Sequence, residues 1–391
     1  MHFNIDEEMK KKFFVYASSL SVAVLLAAFF FYFDEVVRGI QFIFKIGFPF
    51  FLGLMIAFIL HHPVMWFEKK VFSKLNKQWS RMFSVIVVFI LFICILALFF
   101  STVIPSIIDS AYTFSSNFSK YVHNFGIYAD DILGKFQISY ESIEDVLVNF
   151  DLVSKITSTV TNYIPKVADY SLGFIRGMIN ILLAMFSAFY LLLDQESLRR
   201  GIKKLNYSIF SKNTANYLTT WINDAKVVFE KYIVGSLIDS TIIGISCYLG
   251  VLLLKIPYAP MIGFVVGLTN IIPVFGPFIG AIPMIVILLL INPIYALIFA
   301  IFILILQQID GNVIKPIVLG DQLGISGFWI LFSVTIGGGL GSAFAGNIGG
   351  VFGMFLGVPI FAIIYAAVRD FSSMRLQNKH INVPNGAGTI D

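Results

Sequence analysis

The chain has 391 residues, of which 58% are apolar and only 13% are charged, whereas soluble domains are roughly 45–50% apolar and about 25% charged. Its apolar runs reach the ~20 residues that a helix needs to cross the hydrocarbon core of a bilayer. These figures exclude a soluble globular enzyme and a disordered chain, and the net charge of +4 is too small to indicate a nucleic-acid partner. The composition predicts an all-α, polytopic helical membrane protein.

Eight membrane-crossing units fit the hydropathy pattern, and two of them, both in the C-terminal half, are broken or re-entrant. The units lie at 13–33, 40–60, 82–104, 172–193, 232–254, 259–291, 294–309 and 328–366. The predicted parts of the chain are three N-terminal spans (1–104), an extracytoplasmic amphipathic helical region (105–171), a fourth span (172–193), a basic cytoplasmic segment with an interfacial helix (194–231), a C-terminal transport domain with discontinuous helices (232–368) and a cytoplasmic tail (369–391).

The distribution of charge predicts the orientation of these parts. Basic residues are concentrated in 1–12, 61–81, 194–231 and the tail, whereas 105–171 contains four Lys against eight Asp and Glu. Positively charged loops stay in the cytoplasm. Both termini are therefore predicted to be cytoplasmic and 105–171 to lie outside.

Two stretches beyond the spans have the three-to-four-residue period of amphipathic helices. The outer region 105–171 is expected to form such helices, which cover the membrane domain, shield a mouth or mediate assembly. The stretch 221–232 is expected to lie along the membrane interface and then turn into the fifth span.

The first broken unit has three prolines and two glycines at predicted membrane depth. The candidate pathway residues are Asn270, Pro273, Gly276, Pro277, Gly280 and Pro283. Proline removes a backbone donor and breaks a helix, and discontinuous helices at the midplane are where transporters bind substrates and coupling ions. A kinked structural helix is the alternative.

The second broken unit is rich in glycine. Gly349, Gly353 and Gly357 recur every four residues and so lie on one helix face. Such small-residue faces let two helix backbones approach closely. They are typical either of static packing or of one element sliding past another.

A polar patch separates the two broken units. It contains Gln307, Asp310, Asn312, Lys315 and Pro316. An acid within a membrane is costly and usually faces a partner or water, and desolvation favours its protonated form. Asp310 is the first candidate for a coupling acid and Asp239 the second. The alternatives are a polar connection outside the membrane, a structural pair of Asp310 with Lys315, and a helix-packing or interfacial role for Asp239.

Motifs for nucleotide binding, metal binding and nucleophilic catalysis do not occur in the sequence. We therefore expect no enzyme activity, no cofactor and no metal. The remaining candidate functions are secondary transport, a channel and a non-transporting role in the membrane.

Residues within 226–366 together resemble the autoinducer-2 exporter family, also described as a family of predicted permeases. The resemblance is carried by Lys226, Tyr232–Gly235, Ile256–Ala259, Asn270–Pro283, Gln307–Gly320 and Gly353–Pro359. Members commonly have Glu where Asp310 stands, and the run Leu340–Asn347 looks like an insertion in the usual Gly-rich motif. The resemblance implies a multi-pass transporter of the bacterial plasma (inner) membrane and a homo-oligomer, with a pentamer as one candidate. Some members resemble exporters of autoinducer-2, and others resemble sodium–proton antiporters.

Together these features predict a secondary transporter in a lipid bilayer that exports a small polar solute such as autoinducer-2. A sodium (or lithium)/proton antiporter is the alternative, and a non-transporting scaffold in envelope assembly or sporulation is a further one. In the first two, the path lies between the two broken units. Asp310 binds a cation or proton there, and Gln307 and Asn312 bind polar groups.

Overall fold

A computed structural model describes residues 13–21, 24, 31–135, 171–318 and 324–378. Within these ranges the regular structure is helical and contains no strand, which confirms the predicted fold class. The helices are α1 (Phe33–Lys70), α2 (Lys77–Lys135), α3 (Ser171–Leu193), α4 (Gln195–Ile209), α5 (Lys212–Leu253), α6 (Ala259–Asn270), α7 (Gly276–Ile291), α8 (Pro293–Ile309), α9 (Lys315–Val318) and α10 (Gly327–Asn378). A π-helical turn, Asp310–Ile314, joins α8 to α9.

In the described part of the chain, six helical stretches are long and apolar enough to cross a membrane. They are Val37–Lys70, Lys77–Phe118, Lys212–Leu253, Pro293–Val318, Gly327–Phe344 and Gly349–Ser373. The pair Ile179–Leu193 and Gln195–Ile209, bent by 75°, makes a seventh candidate. The predicted count of eight is therefore approximate, and residues 25–30 of the first predicted unit lie outside the described residues.

The predicted unit 259–291 is a short helical hairpin. Its arms, α6 and α7, have 12 and 16 residues, and each is shorter than the ~20 residues that a crossing requires. The turn is tight, because Val274 has a φ of 66° and the N–H of Gly276 donates to the carbonyl of Ile272 at 2.9 Å. Gly276 and Gly280 of α7 pack directly on Thr269 of α6.

The predicted unit 328–366 is a second hairpin, formed by the two arms of α10. The arms contain 18 and 25 residues, and the chain reverses at Gly346, whose φ is 66°. Gly341 packs against Gly349, and Gly337 packs against Gly353. These pairs are equally spaced about the turn, as antiparallel arms require. Each arm is long enough to cross alone, so one predicted unit is corrected to two.

Two long helices run through boundaries that the sequence suggested. Helix α2 has 59 residues and contains Pro105 without a break, so the third span continues into the outer region. Helix α5 has 42 residues, and the expected turn near residue 232 is not observed because the sequence contains no helix breaker there. The helix that bends away from a span is α4 instead. The outer stretch 136–170 lies outside the described residues.

Three apolar clusters hold the described helices together. The first joins α1, α2 and α3, and the second joins α5, α6, α7 and α8. The third brings α5, the turn of the first hairpin and both arms of α10 together through Tyr232, Ile233, Ile272, Val334, Phe355 and Val358. The two hairpins therefore meet at Ile272, beside α5.

Candidate functional site

Two acidic side chains meet beside the tip of the first hairpin. Asp239 of α5 is 2% exposed and Asp310 is fully buried, and the two carboxyl groups are close enough to interact electrostatically. Asn270, the last residue of α6, donates from Nδ2 to Asp239 Oδ2 at 3.0 Å. Lys315 donates from Nζ to Asp310 Oδ2 at 2.6 Å. The site therefore contains two carboxyls, one amide and one ammonium.

Three separate elements bring these groups to similar depths in the bundle. These distances are measured from the end of α5 and from the starts of α6 and α8, at about 1.5 Å per residue. Asp239 lies about 21 Å from Leu253 at the end of α5, and Asn270 lies about 17 Å from the start of α6. Asp310 lies about 26 Å from the start of α8. Asp310 belongs to the candidate span Pro293–Val318 and is fully buried. It is thus not part of an exposed polar connection, which was one interpretation of the sequence.

The π-helical turn explains why Lys315 reaches Asp310. In a regular α-helix, residues five apart point about 140° away from each other. Here the N–H of Lys315 donates to the carbonyl of Asp310, and this wider i→i+5 turn brings both side chains onto the same face. Single π-helical turns occur frequently at functional sites.

The balance of charge in the site disfavours two negative carboxylates. Two neighbouring buried carboxylates repel each other, so the state in which both are charged is unfavourable. With a single negative charge on the pair, the ammonium of Lys315, 34% exposed at its side chain, neutralises the site. A second negative charge would be an excess charge in a buried place, where it is costly.

Several buried polar atoms in the site have no hydrogen-bond partner among the described residues. They are Asp239 Oδ1, Asp310 Oδ1, Asn270 Oδ1, Ser240 Oγ and Gln307 Nε2. Buried polar groups are nearly always paired, and those that are not often mark a catalytic or ion-binding place. Four of these five atoms are oxygens, which are the ligands that hard cations prefer. No group of three or more His, Cys, Asp or Glu able to hold a metal ion occurs in the described ranges.

The structure separates the residues of the predicted polar patch. Asp310 and Gln307 face the interior, but Asn312 is exposed and donates from Nδ2 to the carbonyl and side chain of Gln308. Pro316 is exposed as well. The structure therefore brings Asn270, Asp239 and Asp310 together and leaves Asn312 and Pro316 outside the cluster.

The three prolines of the first hairpin do not all lie at the break between its two helices. Pro273 lies in the turn, but Pro277 is the second residue of α7, a position that needs no backbone donor. Pro283 lies within α7 and is exposed. Gly276 and Gly280 are buried against α6, where a β-carbon would collide with Thr269. The break is thus made by residues 271–275, and the glycines bring the two arms into contact.

The glycines of α10 pack within their own hairpin. A β-carbon at Gly353 would collide with the carbonyl of Gly337, one at Gly341 would collide with the carbonyl of Gly349, and one at Gly357 would lie 2.5 Å from the carbonyl of Ser333. A helix face built of Gly349, Gly353 and Gly357 therefore contacts the backbone of the first arm. Whether the arms slide stays a prediction.

A cavity of about 610 Å³ lies next to the acidic cluster, between α2, α5 and α6. Its wall is mostly apolar and includes the hydroxyl-bearing residues Thr102, Ser106, Ser240, Thr241 and Tyr248. Ser240 follows Asp239 directly, and its Oγ has no partner within the described residues. Sequence reasoning did not identify this cavity, because no local pattern links α2 to α5 and α6.

Glu230 of α5 is a further buried acid that the sequence did not single out. Its carboxylate lies 3.1 Å from Nδ1 of His62 and is only 10% exposed at the side chain. The side chain of His62 is 71% exposed, and this contact joins α1 to α5.

A helical bundle with several stretches long and apolar enough to cross a bilayer, two hairpins and a buried acidic cluster is the architecture of a multi-pass membrane protein. The AI-2E family transporter group matches residues 19–373, and the chain belongs to this family. It is 29% identical over 340 residues to "Putative transport protein YueF" of Bacillus subtilis, with 84% of each chain covered. It is 22% identical over 327 residues to "Putative permease PerM" of Escherichia coli, covering 82% of this chain and 86% of that protein. The resemblance seen in the sequence is thereby confirmed.

Proposed function

We propose that this chain is a proton-coupled secondary transporter whose coupling site is the Asp239–Asp310 carboxyl pair. The observation that supports this proposal is the proximity of two buried carboxyls, with Lys315 as the only ammonium paired to them among the described residues. Such a site is neutral with one shared proton, and it becomes negative when that proton leaves for water.

The transported solute in this proposal is small and polar, such as autoinducer-2, and it is exported. The cavity next to Asp239 supports this, because its otherwise apolar wall contains the hydroxyl of Ser240, which has no partner within the described residues. The path runs between the two hairpins, and Asn270, Pro273, Gly276, Pro277, Gly280 and Pro283 shape the first hairpin at its side. Gln307 contributes a buried amide nitrogen that has no partner in the described structure.

Movement in this proposal occurs along the glycine faces. Gly267 of α6 approaches Gly244 of α5 so closely that a β-carbon at Gly244 would lie 3.1 Å from its Cα. Smooth faces of this kind let the first hairpin shift along α5 when the charge of Asp239 changes. The face formed by Gly349, Gly353 and Gly357 lets the two arms of α10 shift past each other in the same way.

Exchange of sodium or lithium for a proton is a second candidate function. The unpaired oxygens of Asp239, Asp310 and Asn270 favour it, because a monovalent cation could replace the shared proton without any change in net charge. A non-transporting scaffold in envelope assembly or sporulation is the competing proposal, and it would leave Asp310 dispensable.

Flux assays in proteoliposomes test the coupling site. We expect Asp239→Asn and Asp310→Asn each to lower pH-driven flux about 100-fold or more, because neither variant can exchange the proton. The double variant should be no worse than either single one, since the two residues act as a unit. Asp310→Glu keeps the carboxyl and should retain activity. Asp224→Asn, on an exposed residue of α5, is the matched control.

Comparison of autoinducer-2, sodium and lithium in the same vesicles separates the two transport functions. Wild-type flux in a well-folded Asp310→Asn protein would remove Asp310 from the mechanism. If Asp310→Asn and Lys315→Met instead lower thermal stability to the same extent, the pair is structural, because either change leaves one charge unpaired.

The proposed setting is the bacterial inner membrane, with a homo-oligomer, a pentamer being one candidate, and with cytoplasmic termini. Single cysteines at Ser139 and Asn213, in a background lacking Cys94 and Cys247, test the orientation. An impermeant thiol reagent added to intact cells should label only the first. Labelling of Asn213→Cys would reverse the orientation.

A further inference from the structure

A large cavity lies at the predicted cytoplasmic ends of the spans, far from the acidic cluster. Its volume is about 1080 Å³, and it is lined by α1, the end of α3, α4 and residues 219–227 of α5. At 1.5 Å per residue, Lys226 in its wall is about 20 Å along α5 from Asp239. The cavity is therefore a site separate from the proposed transport path.

The lining of this cavity combines positive charge with apolar surface. Its basic residues are Arg199, Arg200, Lys203 and Lys226, and no Asp or Glu belongs to the lining. The apolar wall includes Leu54, Phe58, Leu191, Leu198, Ile202 and Ile222. The basic residues of the lining thus suit an anion, and its apolar residues suit a hydrocarbon chain.

Helix α4 has the properties of a helix that lies in the membrane interface. It is bent by 75° from α3, and it exposes Leu198, Ile202, Leu205 and Ile209 beside several basic residues. Helices with an apolar face and a basic face bind at the boundary between headgroups and acyl chains. The cavity therefore opens where phospholipid headgroups are found.

The bend that forms the cavity is held by specific contacts. Arg81 of α2 donates to the carbonyl of Leu192 at 2.9 Å and also pairs with Glu68 of α1. Lys77 forms a 2.6 Å ion pair with Glu196 of α4. Across the cavity, Arg199 donates to Asn223 Oδ1 at 3.4 Å. These contacts position the basic residues of α4 opposite Lys226.

We infer that this cavity binds an anionic phospholipid, with the headgroup phosphate at Arg199, Lys203 and Lys226. The acyl chains lie along the apolar wall beside Leu54 and Phe58. Basic pockets between helices on the cytoplasmic side are suited to anionic headgroups. A soluble phosphate would satisfy the charge alone, whereas the size and the apolar lining of the cavity fit a lipid.

Lipid binding to the full-length protein tests this inference. The protein is purified in detergent, and native mass spectrometry measures bound phosphatidylglycerol and phosphatidylcholine, while a thermal unfolding assay measures the stabilisation by each. Wild type should retain phosphatidylglycerol preferentially and unfold at a higher temperature with it. The triple variant Arg199→Gln, Lys203→Gln, Lys226→Gln should bind phosphatidylglycerol at least about tenfold more weakly.

A matched control variant removes three positive charges from the predicted cytoplasmic side of the protein, but outside the cavity. Lys70→Gln, Lys74→Gln, Lys212→Gln changes three exposed residues outside the cavity lining and should bind phosphatidylglycerol as wild type does. If the first triple variant does not elute as a folded protein, Lys203→Gln and Lys226→Gln are measured singly. Each single change should then lower the affinity several-fold.

Two outcomes would overturn the inference. Equal loss of phosphatidylglycerol in both triple variants would show binding to general surface charge rather than to the cavity. Stabilisation of wild type by inorganic phosphate or glycerol 3-phosphate, equal to that by phosphatidylglycerol, would show a site for a soluble anion. Because the readout is lipid binding, it is independent of flux through the Asp239–Asp310 site.

Discussion

The two hairpins of the C-terminal half are built from similar small-residue faces, yet they end in different chemistry. The arms of α6 and α7 are too short to cross a membrane, and their tip places Asn270 against Asp239. The arms of α10 are long enough to cross, and their tip is Gly346, which is exposed. Glycine contacts therefore explain how each hairpin is closed, but arm length decides whether the tip reaches a buried site.

The two hairpins are therefore expected to have different roles. The first positions a polar group at a carboxyl pair, so changes at its tip should alter transport before they alter stability. The second packs backbone against backbone, so changes on its glycine face should alter stability first.

The largest effect is expected at the glycine face of α10. Gly353→Leu places a side chain against the carbonyl of Gly337, and backbone atoms on both sides leave little room to relax. We expect a loss of about 3 kcal/mol or more in the free energy of unfolding, measured by thermal unfolding and by size-exclusion chromatography.

The control for that change is Gly339→Ala in the same arm. Nothing lies within 4 Å of a β-carbon at Gly339, so alanine should be neutral or stabilise the helix by up to about 1 kcal/mol. Wild-type stability of Gly353→Leu would contradict the observed contact between the arms.

The next effect is expected at the tip of the first hairpin. Asn270→Ala removes the hydrogen bond to Asp239, and a hydrogen bond to a charged group contributes about 1.5–3 kcal/mol. We expect flux in proteoliposomes to fall about tenfold or more while the protein remains folded. Asn312→Ala, which changes an exposed amide paired with Gln308, should leave flux unchanged. An equal loss of flux in both variants would contradict the conclusion that Asn270 belongs to the site and Asn312 does not.

A smaller effect is expected at the tip of α10. Gly346 has a φ of 66°, a conformation that costs a residue with a β-carbon roughly 1–2 kcal/mol, although open space surrounds its position. Gly346→Ala should lower the stability by about that amount and leave flux intact. A loss of flux without a loss of stability would give this tip a functional role.

The smallest effect is expected at Val274, which has a φ of 66° in the turn of the first hairpin. Val274→Gly relieves this strain, but glycine loses more backbone entropy on folding. We therefore expect a net stabilisation below about 1 kcal/mol, measured by chemical unfolding in detergent. A clear destabilisation would show that packing of the half-exposed valine side chain outweighs the strain.

The sequence predicted the features that depend on local pattern. The apolar runs indicated the helical spans, the Pro273–Gly276 region indicated a break, and the spacing of Gly349, Gly353 and Gly357 indicated close helix contact. The run Leu340–Asn347 looked like an insertion in a Gly-rich motif, and it contains the end of the first arm of the α10 hairpin and Gly346, where the chain reverses. Each of these signals lies within a single continuous stretch of the chain.

The sequence by itself determined an all-α membrane protein, its family, and the two places where helices break, because composition, period and backbone restrictions act locally. Only the tertiary structure decided that Asp239 meets Asp310, which is 71 residues further along the chain, that Asn312 points outward and that Lys226 shares a cavity with Arg199. The physical reason is that such contacts depend on how separate helices pack and on one π-helical turn. Neither leaves a periodic signal in the residues themselves.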